Sequence, residues 1–592
     1  MAQFVKVSID IEGTSVTHFS SFALSQAIFD HHSFRLVCPS EAIDGTNSKI
    51  FANSKEMVGS AINIQVEPVS GNNAKMQFSG VITQIESSRH SGHAGNIVLS
   101  GYSPTILLDS GPHCKTWEKK AIKNIAQDVL QHFPQNLLQP KLNPANGETL
   151  SYTVQYKETG WQFLSRLSAT HGEWLMYDGK KLILGPPQGN KAQLNFGNNL
   201  HEFNMSLHVR PANFKMMAYD YMNHEVYDGA PSDTASKAGL NELGKHALQK
   251  SEQFYGTKPK QWHNHFLTNK KQLDDFVNAR ASMQSSNMIR FRGESDHPGI
   301  QIGGAVSVEG KNVFNNEKEN FGDYTVISVT HHCDGQGNYT NEFVAVPSTL
   351  KMPPVTIAEE PRCETQSAVV TDNHDPNGLG RIKVKFHWMG SNEKSPWLRV
   401  TSPHGGDGKG MFFIPEIDEE VIVGFEGDSP AKPYIIGTVF HGKAKTTFSN
   451  SANDVKAIQT RSGNKIIMND QEGSVFVEDK DANSVKMDGD GNINVLSNKS
   501  IVLTCGDSKI EMKKDGTIEI TGKKITVNGD DKATMVSKQA SFTADGQGGE
   551  AKVEGMKASI TGTTEAKVAS SAKTEISGGA NVAVKGALIT LN

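Results

Sequence analysis

Apolar and polar residues alternate from the start of the chain. "MAQFVKVSIDIEG", "NAKMQFSGVITQI" and "GNIVLSGYS" each place apolar side chains on one face of an extended segment. Successive side chains of a strand point to opposite faces, so these stretches predict strands with one buried face. Three stretches switch to helical spacing. "EKKAIKNIAQDVLQHF" sets Ile122, Ile125, Val129 and Phe133 on one stripe. "TGWQFLSRLSATHG" opens with Thr159 and Gln162 in capping-box spacing and closes at Gly172. "KKQLDDFVNARASM" carries Leu273, Phe276, Val277 and Met283 in the same helical register. Residues 1–355 therefore read as a mixed β-rich region with inserted helices. Within it, "DGAPSDTASKAGLNELGK" reads as a long polar surface loop. The prolines of "VPSTLKMPPVTIAEEP" predict an extended connection rather than packed structure, with a linker at 356–365.

Between residues 366 and 443 the pattern becomes strand after strand: "SAVVTDN", "RIKVKFHW", "PWLRVTS", "MFFIPEI", "EEVIVGFEG" and "KPYIIGTVF". Short strands with Gly, Pro and Asp at the turns, in under a hundred residues, predict a small closed barrel. From 455 to 592 the pattern is a repeat. Val485/Met487, Ile493/Val495 and Ile501/Leu503 are apolar pairs eight residues apart. Ile510/Met512 and Ile518/Ile520 resume the spacing after a one-residue stutter, and Ile560, Val568, Ile576 and Val584 again step by eight. The register blurs between Val527 and Val553. Such periodicity marks a solenoid. Two inward residues per eight cannot give one chain a core, whereas three chains wound about a common axis bury them against their copies. The repeat thus predicts an intertwined trimeric β-prism, a stiff needle.

Composition narrows the class. The chain has 592 residues, so three or more domains are expected. It is 36% hydrophobic and 7% aromatic with 55 glycines, which agrees with a soluble β-rich protein. A formal charge of -5 gives no electrostatic argument for a nucleic-acid partner. The amino-terminal segment reads as a first strand, not a signal peptide, and no apolar run has the length of a membrane span. Five scattered cysteines (Cys38, Cys114, Cys333, Cys363 and Cys505) read as buried free thiols of a protein made in a reducing compartment.

Few residues invite a chemical reading. His331, His332 and Cys333 are consecutive on a predicted strand and point to opposite faces, so they do not form a metal site; His31 and His32 read the same way. "DGDGNINV" begins like a calcium loop with Asp488, Asp490 and Asn492. Its sixth position is Ile493 and its twelfth Lys499, so a tight Asp-Gly turn is expected. "GGDGKGM" lacks the spacing of a phosphate-binding loop and the Ser or Thr after Lys409. Only "KAKTTFSNSAND" separates barrel from repeat, too short for a catalytic domain. No catalytic, cofactor-binding or metal residues are expected, and no enzyme.

One set of motifs carries a family resemblance. In order come Asp375, Pro376, Gly380 and Arg381; then Trp397, Arg399 and Val400; then Pro415, Glu420, Val421, Val423 and Phe425. This order resembles the barrel of VgrG (valine-glycine repeat) spike proteins of type VI secretion systems, and "SYTVQYKETGWQFLSRLSATHGEWLMYDGKKLILG" resembles their hub region. The resemblance implies a hub over 1–355, an OB-type barrel neck over 366–443 and a β-prism needle over 455–592, similar to the fused hub and spike of contractile phage tails. It further implies a homotrimer seated on a tail-tube protein among baseplate proteins, puncturing a target membrane. Export to the extracellular space or target cell would be by the apparatus itself, with effectors as cargo. A phage-tail hub or an extracellular contractile particle is the alternative, and an OB-type polysaccharide or nucleic-acid binding module a weaker one.

The needle core is expected at Val485, Met487, Ile493, Val495, Ile501, Leu503, Ile518, Ile520, Ile560, Val568, Ile576 and Val584. The sequence "ALITLN" is still repeat-like, so the last rung exposes unpaired backbone with apolar Ile589 and Leu591. The resemblance implies a small conical tip protein of the PAAR (Pro-Ala-Ala-Arg repeat) type as its cover, docked on Ile589, Thr590, Leu591 and Asn592.

Overall fold

A computed structural model describes residues 3–46, 49–70, 74–90, 93–312 and 314–591. The chain divides into two compact units, Met1–Ala444 and Lys445–Asn592.

The first unit is built mainly of strands. Gln3–Ile11, Ala61–Pro68, Met76–His90, His93–Tyr102, Ser33–Pro39, Ser21–Ala27, Lys318–Asp334 and Asn338–Pro347 hydrogen-bond side by side. Asn338–Pro347 returns to Gln3–Ile11 through Phe4↔Asn338, which closes the ring. Inside lie Leu24, Leu36, Ile62, Ile64, Phe78 and Leu99, all from the inward positions of alternating strands. Lys318–Asp334 is long enough to serve two barrels. Its Ser328–Asp334 half pairs with Ser21–Ala27, and its Lys318–Thr325 half pairs with Ala305–Lys311. The ladder to Asn338–Pro347 slips by one residue between Val326 and Ser328, a bulge where the strand passes from one curl to the other. Lys191–Asn195, Ile289–Ser295 and Leu200–Leu207 complete the second curl around Phe291, Val306, Val326 and Phe343.

The helices pack beside these barrels. Gly160–Thr170 has the capping box read from the sequence: Gln162 N donates to Thr159 Oγ1 at 3.1 Å, and Thr159 N donates to Gln162 Oε1 at 3.1 Å. Gly172 follows its end at φ +71, in the left-handed region. Lys270–Ser286 buries Leu273, Val277 and Met283. Two expectations are corrected. "EKKA" is not helical but ends the strand His113–Ala121, whose backbone is taken up by Thr149–Glu158; the helix is only Ile122–Leu130, and Phe133 lies beyond it. The stretch read as one long loop holds a short helix, Thr234–Ala238, and the start of a longer one, Glu242–Phe254. Asn241 caps the latter, its Oδ1 accepting from Gly244 N at 2.9 Å.

Residues 366–440 form a small barrel. Lys383–Phe386, Gln366–Asp372, Glu420–Phe425 and Pro433–Thr438 lie in that order in one sheet. The "PWLRV" segment closes it by single bridges, Ile382↔Leu398 on one side and Val400↔Ile435 on the other. "MFFIPEI" is not a strand: Met411, Phe412 and Phe413 are exposed on a loop. An apolar run and a buried strand look alike in sequence when burial depends on what lies opposite. The segment before the barrel has no helix or strand over 355–365, and the chain just ahead of it is tied down. Trp174 Nε1 donates to Lys351 O at 3.2 Å, and Lys351 N donates to Ala238 O at 3.0 Å.

The second unit consists of antiparallel meanders. Val455–Gln459, Lys465–Asn469, Ser474–Glu478, Ser484–Met487 and Ile493–Leu496 pair in sequence order. Ser500–Cys505, Ser508–Lys513 and Ile518–Thr521 form a second sheet, and Lys532–Ser537, Ala540–Asp545 and Glu550–Gly555 a third. The described residues after Gly555 contain no strand.

Candidate functional site

Of the histidines singled out in the sequence, His32 and His331 belong to a buried polar chain, whereas His31 bonds Thr105 and Asp109. Gln26 Nε2 donates to His32 Nδ1 at 2.9 Å. His331 Nε2 donates to Gln26 Oε1 at 3.1 Å, and the Tyr339 hydroxyl donates to His331 Nδ1 at 2.6 Å. Burial lowers both imidazoles to about 3, so each stays neutral. His332 faces the other way, exposed. Among the described residues no group of three His, Cys, Asp or Glu is placed to hold a metal ion. Asp488 is occupied by its own turn: Asp490 N and Asn492 N donate to Oδ1 at 2.9 and 3.1 Å, and Asn492 Nδ2 donates to Oδ2 at 2.8 Å. Asp479 and Asp334 are held in the same way by Asn483 and Asn338. Of the cysteines expected to be buried, Cys38, Cys333 and Cys363 are, and burial pushes each up to about 12. Cys114 is half-buried, and Cys505 is exposed because its strand has no cover in the single chain.

"DPNGLGR" is a lock between the small barrel and the region before it. Asp375 accepts from Arg381 Nε at 2.9 Å and Nη2 at 2.8 Å, and from Asn377 N and Leu379 N at 3.0 Å each. The two side chains are 2% and 7% exposed, so this is a buried bidentate pair. The arginine hydrogen bond holds the Asp375 carboxyl well below the usual carboxylate range, against the opposing effect of burial. Arg381 also donates to the Tyr221 hydroxyl at 3.2 Å, which sits on the turn between Lys215–Asp220 and Glu225–Gly229. Glycines at φ +68 and +66 (Gly378 and Gly380) let the loop fold back on its aspartate.

The contact is wider than this pair. Tyr152, Val154 and Tyr156, from Thr149–Glu158, lie in the same core as Val370, Val384, Phe386 and Val423 of the barrel. Glu360 of the connecting segment lies beside His265 Nδ1 at 2.6 Å and accepts from Ser429 Oγ at 3.1 Å. Burial raises its carboxyl, but the His265 hydrogen bond and the charges of His265 and Arg166 outweigh burial and bring it to about 2. Sequence reading missed Tyr221, His265 and Glu360, because only the fold brings the three segments together.

The repeat residues stand opposite one another across the strands. Val485 faces Val495 and Met487 faces Ile493; Ile501 faces Met512 and Leu503 faces Ile510; Ile510 faces Ile520 and Met512 faces Ile518. Directly opposed pairs share one face of a sheet, so the octad spacing becomes an apolar ladder. It extends beyond the residues read from the sequence. Ile466 and Met468 face Val477 and Val475, which face Val485 and Met487. In the stretch where the register blurs, Met535 faces Phe542 and Phe542 faces Val553. The signal there was alternation within "KATMVS", "ASFTAD" and "EAKVEG", masked because the turns differ in length.

Among the described residues, most positions of these ladders are left uncovered. Ile493 is 68% exposed, Val485, Met487, Val495, Leu503, Ile518 and Ile520 are exposed as well, and Ile501 is half-buried. Ile560 is 82% exposed, and Val568, Ile576 and Val584 are similarly open, outside any described strand. Of the four residues expected to dock a tip protein, Ile589, Thr590 and Leu591 are exposed and Asn592 lies outside the described residues.

A hub of shared-strand barrels, a small closed barrel locked to it and a repeat with an open apolar face define a tail-hub protein with an appended spike-like segment. The chain belongs to the phage tail baseplate hub (GPD) family, whose model matches residues 33–337. Residues 366–440 match the type VI secretion system/phage-baseplate injector OB domain. The chain is VgrG-like. It is 22% identical over 576 residues to the type VI secretion system spike protein VgrG1a of Pseudomonas aeruginosa, covering 79% of this chain and 84% of that one. It is 33% identical to VgrG4b of the same organism over 134 residues, 21% of this chain but only 17% of that longer relative. A chain of a solved Francisella PdpA-VgrG complex shares the fold, with a TM-score of 0.51 at 10% identity over 88% of this chain and 80% of that one.

Proposed function

We propose that the chain is the homotrimeric, membrane-puncturing spike at the tip of a contractile type VI secretion apparatus, exported by that apparatus and carrying a tip protein or effectors. The observation that carries the reading is the uncovered apolar ladder of the second unit. Large side chains such as Ile493 and Ile560 stand in water on a lone chain. An exposed face of that extent calls for partners, and copies of the same repeat offer matching ladders. Residues 1–355 serve as hub over a tail-tube protein, residues 366–443 as neck and residues 455–592 as intertwined needle. Ile589, Thr590, Leu591 and Asn592 serve as the seat for a PAAR-type tip protein. The work is mechanical: the connection between barrel and repeat is short, and the buried histidines and turn aspartates are committed to structure. The GPD match also favours a second reading, the hub of a contractile phage tail, with the same trimer and the same barrel roles.

Light scattering of the full-length protein tests the assembly. Three copies of 64.4 kDa are expected, and a folded, stable monomer sinks the reading. Ile576→Asp sharpens the test, because it places three carboxylates around one axis at a cost on the order of several kcal/mol. The expected result is a needle that loses resistance to heat and detergent; an unchanged trimer removes Ile576 from the core.

A further inference from the structure

A cleft of about 460 Å³ lies in the first unit between the helix Lys270–Ser286, the Lys260–Trp262 strand with the histidines after it, and the connecting segment at 355–358. Arg210, Trp262, His263, Phe276, Arg280 and Gln284 line it. Its charge is unbalanced. Arg280 lies 5.3 Å over the Phe214 ring, and among the described residues neither Arg280 nor Arg210 has a carboxylate within ion-pair distance. Burial holds Arg280 below its ordinary value, with no acid to restore it. Arg290, on the strand Ile289–Ser295, is lowered by burial and then by the charges of Arg210 and Arg292. The acid that does line the cleft, Glu360, is taken by His265 and Ser429.

Polar atoms in the cleft wall are also without partners. His263 is 2% exposed, yet its Nε2 makes no hydrogen bond, and neither does Gln284 Oε1. Burial, followed by the charges of His265 and Lys432, keeps the His263 imidazole neutral, so one of its nitrogens is an N–H donor. Arg210 is exposed and Arg280 half-buried; a half-buried arginine with no acid in reach, beside an orphaned buried imidazole, gains from a partner.

We propose that this cleft is a binding site for an oxyanion, held by the guanidinium groups of Arg210 and Arg280. A planar guanidinium pairs with carboxylate or phosphate through two parallel hydrogen bonds, and a concave site with a few convergent polar groups is the usual form of a ligand pocket. The cleft is several times the size of a phosphate ion, and Trp262 and Phe276 give it apolar walls. The ligand it fits is therefore a carboxylate carried on an apolar body, such as an acid of a small molecule or of a bound peptide.

Thermal unfolding of the full-length protein at fixed pH and ionic strength tests this, with phenylacetate, acetate and inorganic phosphate as probes against chloride. The expected result is a saturable rise of the midpoint with phenylacetate, larger than with acetate or phosphate. The rise should vanish in Arg280→Met and in Arg210→Met and persist in Lys123→Met, at an exposed helix position. Arg280→Met should fold like the parent without ligand, since the side chain is only half-buried and has no acid in reach; if it fails to fold, Arg210→Met, at an exposed position, still reads the site. A phosphate response above that of phenylacetate keeps the oxyanion site and assigns it to free phosphate. Equal responses to every anion, or unchanged responses in both variants, overturn the proposal.

Discussion

Asp375 shows how much one carboxylate can carry. Both its oxygens are engaged, by the Arg381 fork and by backbone amides of its own loop, and Arg381 reaches onward to Tyr221. Removing one partner of such a buried pair leaves the other uncompensated, so Asp375→Asn should cost roughly 3–5 kcal/mol. The pH dependence follows from the direction of the shift. The folded carboxyl titrates below its unfolded value, so its stabilisation is full above about pH 5 and is lost as pH falls through about 4 toward the depressed folded value. Denaturant unfolding of the parent and Asp375→Asn, compared at pH 7 and pH 3, should show a gap that narrows on acidification. A gap that stays constant would mean that Asp375 is held for shape and not for charge.

At the level of the element, period and partner are separate pieces of information. The capping box of Thr159 and Gln162 was legible because both halves of a local motif lie three residues apart. The octad pairs were legible because facing residues recur at a fixed step. What was illegible needed a neighbour. The helix Glu242–Phe254 has a thin apolar stripe, chiefly Ala247 and Leu248, and its small residues read as loop. "MFFIPEI" has the apolar density of a strand but forms no ladder; Met411 N donates to His404 O and the run stays a loop. Glu360 and His265 meet only through the tertiary fold. The strand Ser500–Cys505 offers a test of what covers the ladder. Cys505 lies two residues beyond Leu503 and four beyond Ile501, on the same face. If copies assemble through this face as proposed, a thiol reagent should label Cys505 slowly, and Ile576→Asp should speed it. Fast labelling of an intact trimer would mean that this face points outward.

For the whole molecule, the strand Lys318–Asp334 has a consequence for how the protein comes off the ribosome. The first barrel is closed by pairings between the two ends of a long stretch of chain, Phe4 with Asn338 and Ser25 with Thr330. Its early strands are therefore made long before their partners exist. At synthesis rates of about 5–20 residues per second, roughly 15–70 s pass before residue 347 emerges. Throughout that wait the edges of Gln3–Ile11 and Ser21–Ala27 stand unpaired, and unpaired edges invite other chains. Such distant pairings also make folding slow once the chain is complete. Because the same strand belongs to both curls, neither can finish early and shelter the other. A nascent fragment stopped at residue 317 should therefore aggregate or hold a chaperone, whereas one extended past residue 347 should release it. Sedimentation of the two fragments from a translation extract measures this directly, and equal solubility would show that the barrels assemble without their shared strand. Production of this spike is then paced by the ribosome reaching one strand in the middle of its message.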